Sequence, residues 1–226
     1  MRATMIRTLV VSILAILSVS ATDIPPSTIK RVAVVDTGLD LSAPWAKPYL
    51  CPNGHRDFTG TGITDKDGHG SHVTNLIIQN AKGSNFCLVI LKFYTNTIHT
   101  SWNRALMEAL EYIKEERIPI ANLSLSGPGF MSDEDRYFAS NSTTLFITAA
   151  GNNGVNLDEE PYYPASYTYS NILVVGALNK YTGKRLEISN YGRRVTLWEK
   201  EDATSYATAV KTGKIVKEGI KVKSAF

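Results

Sequence analysis

Three polar residues of this sequence, an aspartate, a histidine and a serine, stand in local patterns that suit nucleophilic catalysis. Asp36 follows a valine-rich run, His69 lies between two glycines, and Ser205 stands at the start of the last helical segment. A serine hydroxyl is a weak nucleophile unless a neutral imidazole accepts its proton, and the imidazole needs a carboxylate that fixes its tautomer. These residues supply the three groups in the chain order Asp, His, Ser. We therefore regard them as a candidate triad.

The segment around His69 has features that an isolated histidine lacks. Gly68 and Gly70 leave both sides of the ring open to close approach. A helix that begins here would place His69, Val73 and the pair at 76–77 on one inward stripe. The positive end of that helix disfavours imidazolium, which predicts a neutral ring that can accept a proton. The alternative is a histidine that only caps the helix or packs against it.

Asp36 and Ser205 each have an ordinary structural alternative. Asp36 would lie at the carboxyl end of a buried strand, where open α/β sheets place their ligand sites. The Asp-Thr-Gly sequence that it begins is also common in turns. Ser205 would be the first residue of a helix, where unpaired backbone N–H groups can stabilise an oxyanion. It could equally be the N-cap of that helix.

The hydrophobic pattern predicts an α/β fold. Five apolar runs are typical of buried strands, and they alternate with helical segments. This alternation predicts a single domain with a mostly parallel β-sheet and helices on both faces. The predicted strands are 31–35, 87–93, 120–125, 144–149 and 171–177, and the predicted helices begin near His69, Ser101, Ser132 and Ser205.

The first 21 residues resemble a secretory signal peptide. They combine the basic residues Arg2 and Arg7 with the apolar run 9–17 and the small residues 19–21. The apolar run is too short to span a bilayer, so it predicts a secreted or periplasmic protein. An uncleaved membrane anchor is the alternative. The chain would then consist of a signal peptide, 1–21, and one domain, 22–226.

Composition favours a globular domain without a nucleic-acid partner. Hydrophobic residues make up 43% of the chain, and the formal net charge is +3, to which Arg2 and Arg7 contribute. The remainder is nearly neutral and has no block of like charge. We therefore expect no nucleic-acid partner, no stable membrane anchor and a monomer. The two cysteines, Cys51 and Cys87, could form a disulfide in an oxidising compartment or remain buried thiols.

Five segments resemble, in the same order, the motifs of the subtilisin-like serine peptidases, or subtilases. Residues 34–38 (Val-Val-Asp-Thr-Gly) look like the aspartate motif, and residues 67–73 (Asp-Gly-His-Gly-Ser-His-Val) look like the histidine motif. Residues 122–128 are similar to the substrate-binding edge segment, 149–152 to the segment with the oxyanion asparagine, and 188–192 to the turn before the serine motif. The chain order Asp, His, Ser is also that of subtilisin. The resemblance implies a subtilisin-like fold.

The resemblance also implies a role for each motif residue. Ser205 would be the nucleophile, His69 the general base and then the general acid, and Asp36 the carboxylate that orients His69. Asn152 would donate its side-chain amide to the oxyanion of the tetrahedral intermediate, beside the backbone N–H of Ser205.

Substrate backbone would pair, as an added strand, with an edge segment of the enzyme. His72 would be a structural hydrogen-bonding residue, and His55 and His99 would be surface residues. The residues of the substrate-binding edge segment are Ser124, Leu125 and Ser126.

Some positions depart from the family pattern. Ala203 stands where glycine is usual and Ala209 where proline is usual, and Ser126 replaces a usual glycine, which could narrow the primary pocket. The lysines at 211, 214 and 217 suggest a solvated face on the last helix. The short loop before Cys87 leaves no room for the usual calcium site, so we expect no metal and no cofactor. The short stretch after the signal peptide likewise leaves no room for an inhibitory pro-domain.

These features predict an exported serine endopeptidase that hydrolyses peptide bonds in a polypeptide substrate through an acyl-enzyme intermediate. The alternative is a catalytically impaired pseudoprotease that binds peptides in the substrate cleft. Transpeptidation, in which an amine replaces water in the second step, has the same sequence requirements as hydrolysis.

Overall fold

The computed structural model describes residues 29–96 and 102–219, so the predicted signal peptide, His99 and Ser101 lie outside the described residues. The strands are β1 (Lys30–Asp36), β2 (Arg56–Asp57), β3 (Phe86–Lys92), β4 (Ile120–Leu123), β5 (Gly127–Pro128), β6 (Leu145–Ala149), β7 (Tyr162–Tyr163), β8 (Ile172–Leu178) and β9 (Val195–Lys200). The helices are α1 (His69–Ala81), α2 (Trp102–Glu115), α3 (Ser132–Ser140) and α4 (Thr204–Glu218), with a short 3₁₀ turn at Lys47–Tyr49.

Seven strands form a parallel sheet in the order β2-β3-β1-β4-β6-β8-β9. Strands β5 and β7 form a separate antiparallel pair. The predicted α/β fold is therefore confirmed, and each of the five predicted strands is present. The sequence pattern missed β9, because this edge strand carries charged residues among its apolar ones and is only partly buried.

Strand β1 shows why the central strands contain runs of consecutive apolar residues. Its side chains alternate between the two faces of the sheet. Val32 and Val34 pack towards α1 and α4, whereas Ala33 and Val35 pack towards α2. All four are fully buried. The middle of a strand that is covered on both faces is typically apolar at successive positions, which explains the valine-rich run.

Helices α1 and α4 pack closely on one face of the sheet. A Cβ atom at Gly213 would lie 2.6 Å from the carbonyl oxygen of Ile77, so glycine is required for this approach. The first turns of the two helices also lie together, since the ring centroids of His69 and Tyr206 are 5.8 Å apart. The packing of the two helices therefore brings the histidine motif to the serine motif.

The lysines of α4 are less solvated than the sequence suggested. Lys211 and Lys214 both form ion pairs with Glu199 of β9, at 2.5 and 2.6 Å. Glu199 is itself buried. The prediction of a solvated lysine face was therefore wrong for Lys211, whose side chain is 20% exposed, whereas the side chain of Lys214 is 45% exposed. The carboxylate that pairs with both comes from β9, which the sequence pattern missed.

The segment before β2 is fastened to β3 by a disulfide and by a histidine. Cys51 and Cys87 are bonded, with their Cα atoms 4.9 Å apart, which decides between the two predicted alternatives. The backbone N–H of Ile90 donates to Nδ1 of His55 at 3.1 Å, and Nε2 of His55 lies 2.9 Å from the Cys51 carbonyl. His55 is therefore a half-buried structural residue and not the surface residue that we predicted. No helix within residues 29–96 and 102–219 has the length and apolar character needed to cross a bilayer.

Candidate active site

The candidate residues meet at the carboxyl edge of the sheet. Strands β1, β4 and β6 are neighbours and run parallel, so their carboxyl ends lie side by side. Asp36 is the last residue of β1, Ser124 follows β4, and the segment that ends at Asn152 follows β6. Such an edge is where open α/β sheets place their ligand sites.

Asp36 and His69 are directly hydrogen-bonded. Nδ1 of His69, the first residue of α1, lies 2.7 Å from Oδ1 of Asp36. The carboxylate is buried and also accepts the backbone N–H of Thr37 at 2.8 Å. A proton on Nδ1 that is held by this carboxylate leaves Nε2 as the free acceptor of the ring. This is the tautomer that a general base requires.

The surroundings of His69 raise its pKa above the usual 6.5. Burial by itself lowers this pKa, but the hydrogen bond and the negative charge of Asp36 outweigh it, and the charges of Asp65 and Asp67 act in the same direction. The direction of this shift is opposite to the one that we expected from the positive end of α1 alone. The nearby carboxylates favour imidazolium through the hydrogen bond of Asp36 and through their negative charge.

Asp65 fixes the start of α1, and the sequence reasoning assigned it no role. Its Oδ2 accepts both the backbone N–H and the hydroxyl of Ser71, at 2.8 and 2.6 Å. Its Oδ1 accepts the N–H of Gly68 at 2.8 Å and the hydroxyl of Thr37 at 2.9 Å. Burial raises the pKa of Asp65, but these donors outweigh it and leave the pKa below its ordinary value. An acidic residue four positions before a predicted helix start was the available signal.

Gly70 lets α1 approach the end of β1. Its backbone N–H donates to the hydroxyl of Thr37 at 2.9 Å. A Cβ atom at this position would lie 2.4 Å from the carbonyl oxygen of Gly38 and 3.1 Å from Oδ1 of Asp36. The glycine after His69 is therefore required by the close contact that supports the Asp36–His69 bond.

Ser205 is the second residue of α4, one position later than predicted, because the helix begins at Thr204. The Ser205 hydroxyl donates to the carbonyl of Ser124 at 3.0 Å, and the Ser124 hydroxyl donates in return to the carbonyl of Ser205 at 2.8 Å. Ala203 holds the N-cap position and makes no side-chain cap, so the N-cap alternative for Ser205 is wrong. Between the described residues Ser205 and His69 there is no hydrogen bond.

Asn152 is oriented by Thr204, the residue before the candidate nucleophile. Oδ1 of Asn152 accepts the backbone N–H of Thr204 at 2.9 Å and its hydroxyl at 3.0 Å. Since both partners donate, the oxygen of the amide must face Thr204, and the NH₂ group remains as a donor. The Thr204 hydroxyl also accepts the N–H of Gly151 at 3.2 Å. Thr204 thus ties the asparagine segment to the start of α4.

Asn190 is one residue through which the segment at 188–192 contacts the loop after β6. This fully buried side chain accepts the backbone N–H groups of Asn153 and Val155 at 3.0 and 3.1 Å. Its amide nitrogen donates to the carbonyl of Ala150 at 2.9 Å. The motif therefore holds the loop that carries Asn152.

The predicted edge segment lies beside Ser205, and its substrate contacts stay a prediction. The carbonyl of Leu125 accepts the hydroxyl of Thr148 at 3.0 Å. The hydroxyl of Ser126 is buried and has no hydrogen-bond partner among the described residues. It lies 2.9 Å from the position that a Cβ atom would occupy at Gly151, so it narrows the space between the edge segment and the Asn152 loop.

His72 differs from its predicted role. Its ring packs edge-on against Tyr206, with 4.4 Å between the ring centroids. Among the residues that the structure describes, its side chain makes no hydrogen bond. The same residues contain no group of three or more His, Cys, Asp or Glu side chains that could hold a metal ion.

Comparisons with known proteins identify the family. The family model of the subtilases matches residues 30–217. The chain is 29% identical over 185 residues to the major intracellular serine protease of Bacillus subtilis (strain 168), a match that covers 74% of this chain and 56% of that protein. It is 30% identical over 184 residues to the intracellular serine protease of Paenibacillus polymyxa, covering 74% and 55%. The chain thus matches about half the length of these two relatives.

Solved structures share the fold at low sequence identity. A lanthipeptide protease superposes with a TM-score of 0.72 at 19% identity, covering 83% of this chain and 72% of the other. The epidermin leader peptide processing serine protease from Staphylococcus aureus gives a TM-score of 0.69 at 13% identity, covering 85% and 65%. With the family match and the geometry at the sheet edge, these comparisons lead to one conclusion. The chain belongs to the subtilase family of serine proteases.

Proposed function

We propose that this protein is an exported serine endopeptidase whose triad is Asp36, His69 and Ser205. The observation that carries the proposal is the 2.7 Å bond between Asp36 and Nδ1 of His69, on the sheet edge where Ser205 also lies. A buried carboxylate bonded to Nδ1 is what a histidine base needs, because it leaves Nε2 free to accept a proton from the nucleophile.

The reaction would proceed in two steps. Nε2 of His69 takes the proton of Ser205, whose Oγ forms a bond to the carbonyl carbon of the substrate. The resulting oxyanion is stabilised by the side-chain NH₂ of Asn152 and by the backbone N–H of Ser205 in the first turn of α4. His69 then returns its proton to the departing amine as the C–N bond breaks. Water, activated in the same way, hydrolyses the acyl-enzyme.

Ser124, Leu125 and Ser126 would hold the substrate backbone as an added strand. The proposal is supported by the position of this segment, since Ser124 and Ser205 exchange hydrogen bonds at 3.0 and 2.8 Å. Backbone pairing gives affinity with little demand on sequence, and the pockets beside the strand then select side chains. The substrate would therefore be an extended polypeptide.

Export is supported by the signal-like residues 1–21 and by the Cys51–Cys87 disulfide, since disulfides persist in oxidising compartments. The names of the two relatives describe intracellular proteins. Mass spectrometry of the protein expressed in a secreting host tests the proposal. Release into the medium with a new N-terminus near Thr22 is expected, whereas retention of residues 1–21 in the cell would contradict it.

A second candidate function is peptide binding without turnover. It is favoured by the direction of the Ser205 hydroxyl, which donates to the Ser124 carbonyl and not to His69. In a working enzyme, rotation of this hydroxyl towards Nε2 of His69 would accompany substrate binding, and catalytic hydrogen bonds are often incomplete before substrate is present.

Labelling by a fluorophosphonate separates the two functions. The purified protein is expected to be labelled at Ser205 and to cleave casein, and Ser205→Ala should abolish both. Ser170→Ala, a change at an exposed serine, is the matched control and should leave both intact. If a protein that circular dichroism shows to be folded is neither labelled nor active, the peptidase function is wrong. Peptide binding that persists in Ser205→Ala would then support the second function.

A further inference from the structure

A cavity at the far end of the edge segment has features that the peptidase reaction does not use. Its volume is about 250 Å³, and it lies against Leu125 and the residues that follow it. Its other walls are largely aromatic and apolar, contributed by Tyr94, Trp102, Leu106 and Tyr163. Tyr94 and Trp102 are 41% and 47% exposed, so the rings stand at the surface. A wall of this kind usually accepts an apolar side chain.

One acidic side chain, Glu134 of α3, also lines this cavity. It is 2% exposed, and its Oε2 lies 3.0 Å from the hydroxyl of Tyr167. The same hydroxyl lies 3.1 Å from the carbonyl of Met131. A hydroxyl has one hydrogen, so it cannot fully satisfy both acceptors at once. Within the described residues, no Lys, Arg or His side chain forms an ion pair with Glu134.

An ionised carboxylate in such a place lacks a counter-charge. Burying a charge without a partner is costly, and a cation that enters the cavity would remove that cost. Aromatic rings add to the attraction, because their faces carry negative charge density. We propose that this cavity binds the cationic side chain of a substrate lysine or arginine, with Glu134 as the specificity-determining residue.

The position of the selected side chain follows from the edge segment, and this step rests on the proposed peptidase function. Ser124 contacts Ser205, whereas the cavity borders Leu125 to Gly129. An extended substrate advances about 3.3 Å per residue and directs alternate side chains to opposite sides. The basic residue would therefore be separated from the scissile bond by one or more residues.

The charge of Glu134 depends on pH in a range that experiments reach. Burial raises its pKa to about 7, against the opposing hydrogen bond from Tyr167, and the charge of Asp135 adds to the increase. Asp135 itself accepts the hydroxyl of Tyr169 at 2.8 Å. Since Glu134 loses its proton as the pH rises through this range, the preference for a basic side chain should be stronger at pH 8 than at pH 6. A ratio of basic to neutral substrates cancels the titration of His69.

The test is a cleavage-site profile. A peptide library of known sequences is digested by the purified protein, and the cut sites are read by mass spectrometry. Lysine and arginine should be enriched at one fixed distance from the cut bond. Glu134→Gln should reduce that enrichment roughly tenfold or more, the scale expected when one partner of a buried charge pair is lost. Asp133→Asn removes an exposed acid from the same helical turn and should leave the enrichment unchanged.

A second measurement needs no variant and covers the case in which Glu134→Gln does not fold. Two peptides that differ only by lysine or norleucine at the selected position are cleaved by the unaltered protein at pH 6 and pH 8. Equal kcat/KM values for the pair would overturn the inference and leave the peptidase function intact. Enrichment that survives in a folded Glu134→Gln protein would also overturn it.

Failure of the peptidase function gives a different result, because no peptide would then be cleaved by a folded protein. In that case the library is passed over immobilised protein, and the retained peptides are sequenced. The cation site is supported if the unaltered protein retains more lysine and arginine peptides than a column of the Glu134→Gln protein retains. Equal retention on the two columns overturns it.

Discussion

The hydroxyl of Thr204 donates to the side-chain oxygen of Asn152 at 3.0 Å, so the residue before the candidate nucleophile sets the orientation of the candidate oxyanion donor. The backbone N–H of Thr204 donates to the same oxygen at 2.9 Å. The two donors leave one orientation for the amide, with its oxygen on Thr204 and its NH₂ group free to donate. A buried threonine thus couples the loop after β6 to the first turn of α4.

This coupling predicts graded effects on turnover. Asn152→Ala should lower kcat about 10²–10³-fold with little change in KM, because the lost hydrogen bond forms only as the oxyanion develops. Thr204→Val should lower kcat less, since the backbone N–H of Thr204 still holds the amide. Steady-state kinetics on one peptide substrate measures both effects. Thr208→Val removes a buried hydroxyl whose hydrogen bond, among the described residues, stays within α4, and it should be nearly silent. A Thr208→Val loss as large as that of Thr204→Val would contradict the assignment.

The Asp36–His69 bond predicts the pH dependence of the reaction. Because the pKa of His69 lies above 6.5, kcat/KM should rise with pH through an inflection above that value, where the ring becomes a neutral base. Asp36→Asn removes the charge that raises this pKa, so the inflection should move to lower pH. The rate should also fall by about 10⁴-fold, because the ring loses the partner that selects its tautomer.

The measurement is a pH–rate profile of kcat/KM between pH 5 and 9 for both proteins. An inflection of the unaltered protein below 6.5, or an Asp36→Asn profile shifted to higher pH, would show that the carboxylate does not govern the histidine. Asp40→Asn is a matched control, because Asp40 is an exposed aspartate of the neighbouring loop and bonds to Ser42.

The contact at Gly70 predicts that alanine is harmful in this helix position. Glycine to alanine within a helix ordinarily stabilises by about 1 kcal/mol. Here the added Cβ would lie 2.4 Å from the Gly38 carbonyl, so Gly70→Ala should instead destabilise by about 1–3 kcal/mol and displace Asp36 from His69. Urea unfolding and casein cleavage measure the two effects. Gln79→Ala, on the exposed side of the same helix, should change neither.

Because Glu134 is buried and can ionise, the stability of the protein should depend on pH in a way that the Glu134→Gln variant does not. Its pKa is raised from 4.5 to about 7, so between these values the folded protein keeps a proton that the unfolded chain has released. The tighter binding of this proton by the folded state contributes to the free energy of unfolding. This contribution is fully present below pH 4.5 and is lost as the pH rises through 7. Relative to the unaltered protein, Glu134→Gln should therefore gain stability between pH 4.5 and 8, on the order of 3 kcal/mol.

Urea unfolding of both proteins at pH 4.5, 6 and 8 measures this difference. If the difference in unfolding free energy between the two proteins is constant across the three pH values, folding does not raise the pKa of Glu134, and the pH argument for the cavity is removed. Asp133→Asn provides the baseline, because its carboxylate is exposed on the same turn of α3.

Local chemistry in the sequence was sufficient for the fold class and for the identities of the candidate residues. The run at 32–35 is apolar at every position because this part of β1 is covered on both faces, and a pattern of this kind is visible without a structure. The start of α1 at His69 was likewise predictable, since a glycine turn and a following apolar stripe are short-range features. The edge strand β9 was not predictable in this way, because half-exposed strands mix charged and apolar residues.

Only the tertiary structure decided how the candidate residues are held. The raised pKa of His69 depends on Asp36 and Asp65, and the sum of their charges at the ring cannot be read from helix position alone. The Thr204–Asn152 bond joins residues 52 positions apart, and the Ser205–Ser124 bond joins residues 81 positions apart. Residue types and short-range spacing are encoded along the chain. Distances between groups that meet through packing of the sheet and helices arise only when the chain has folded.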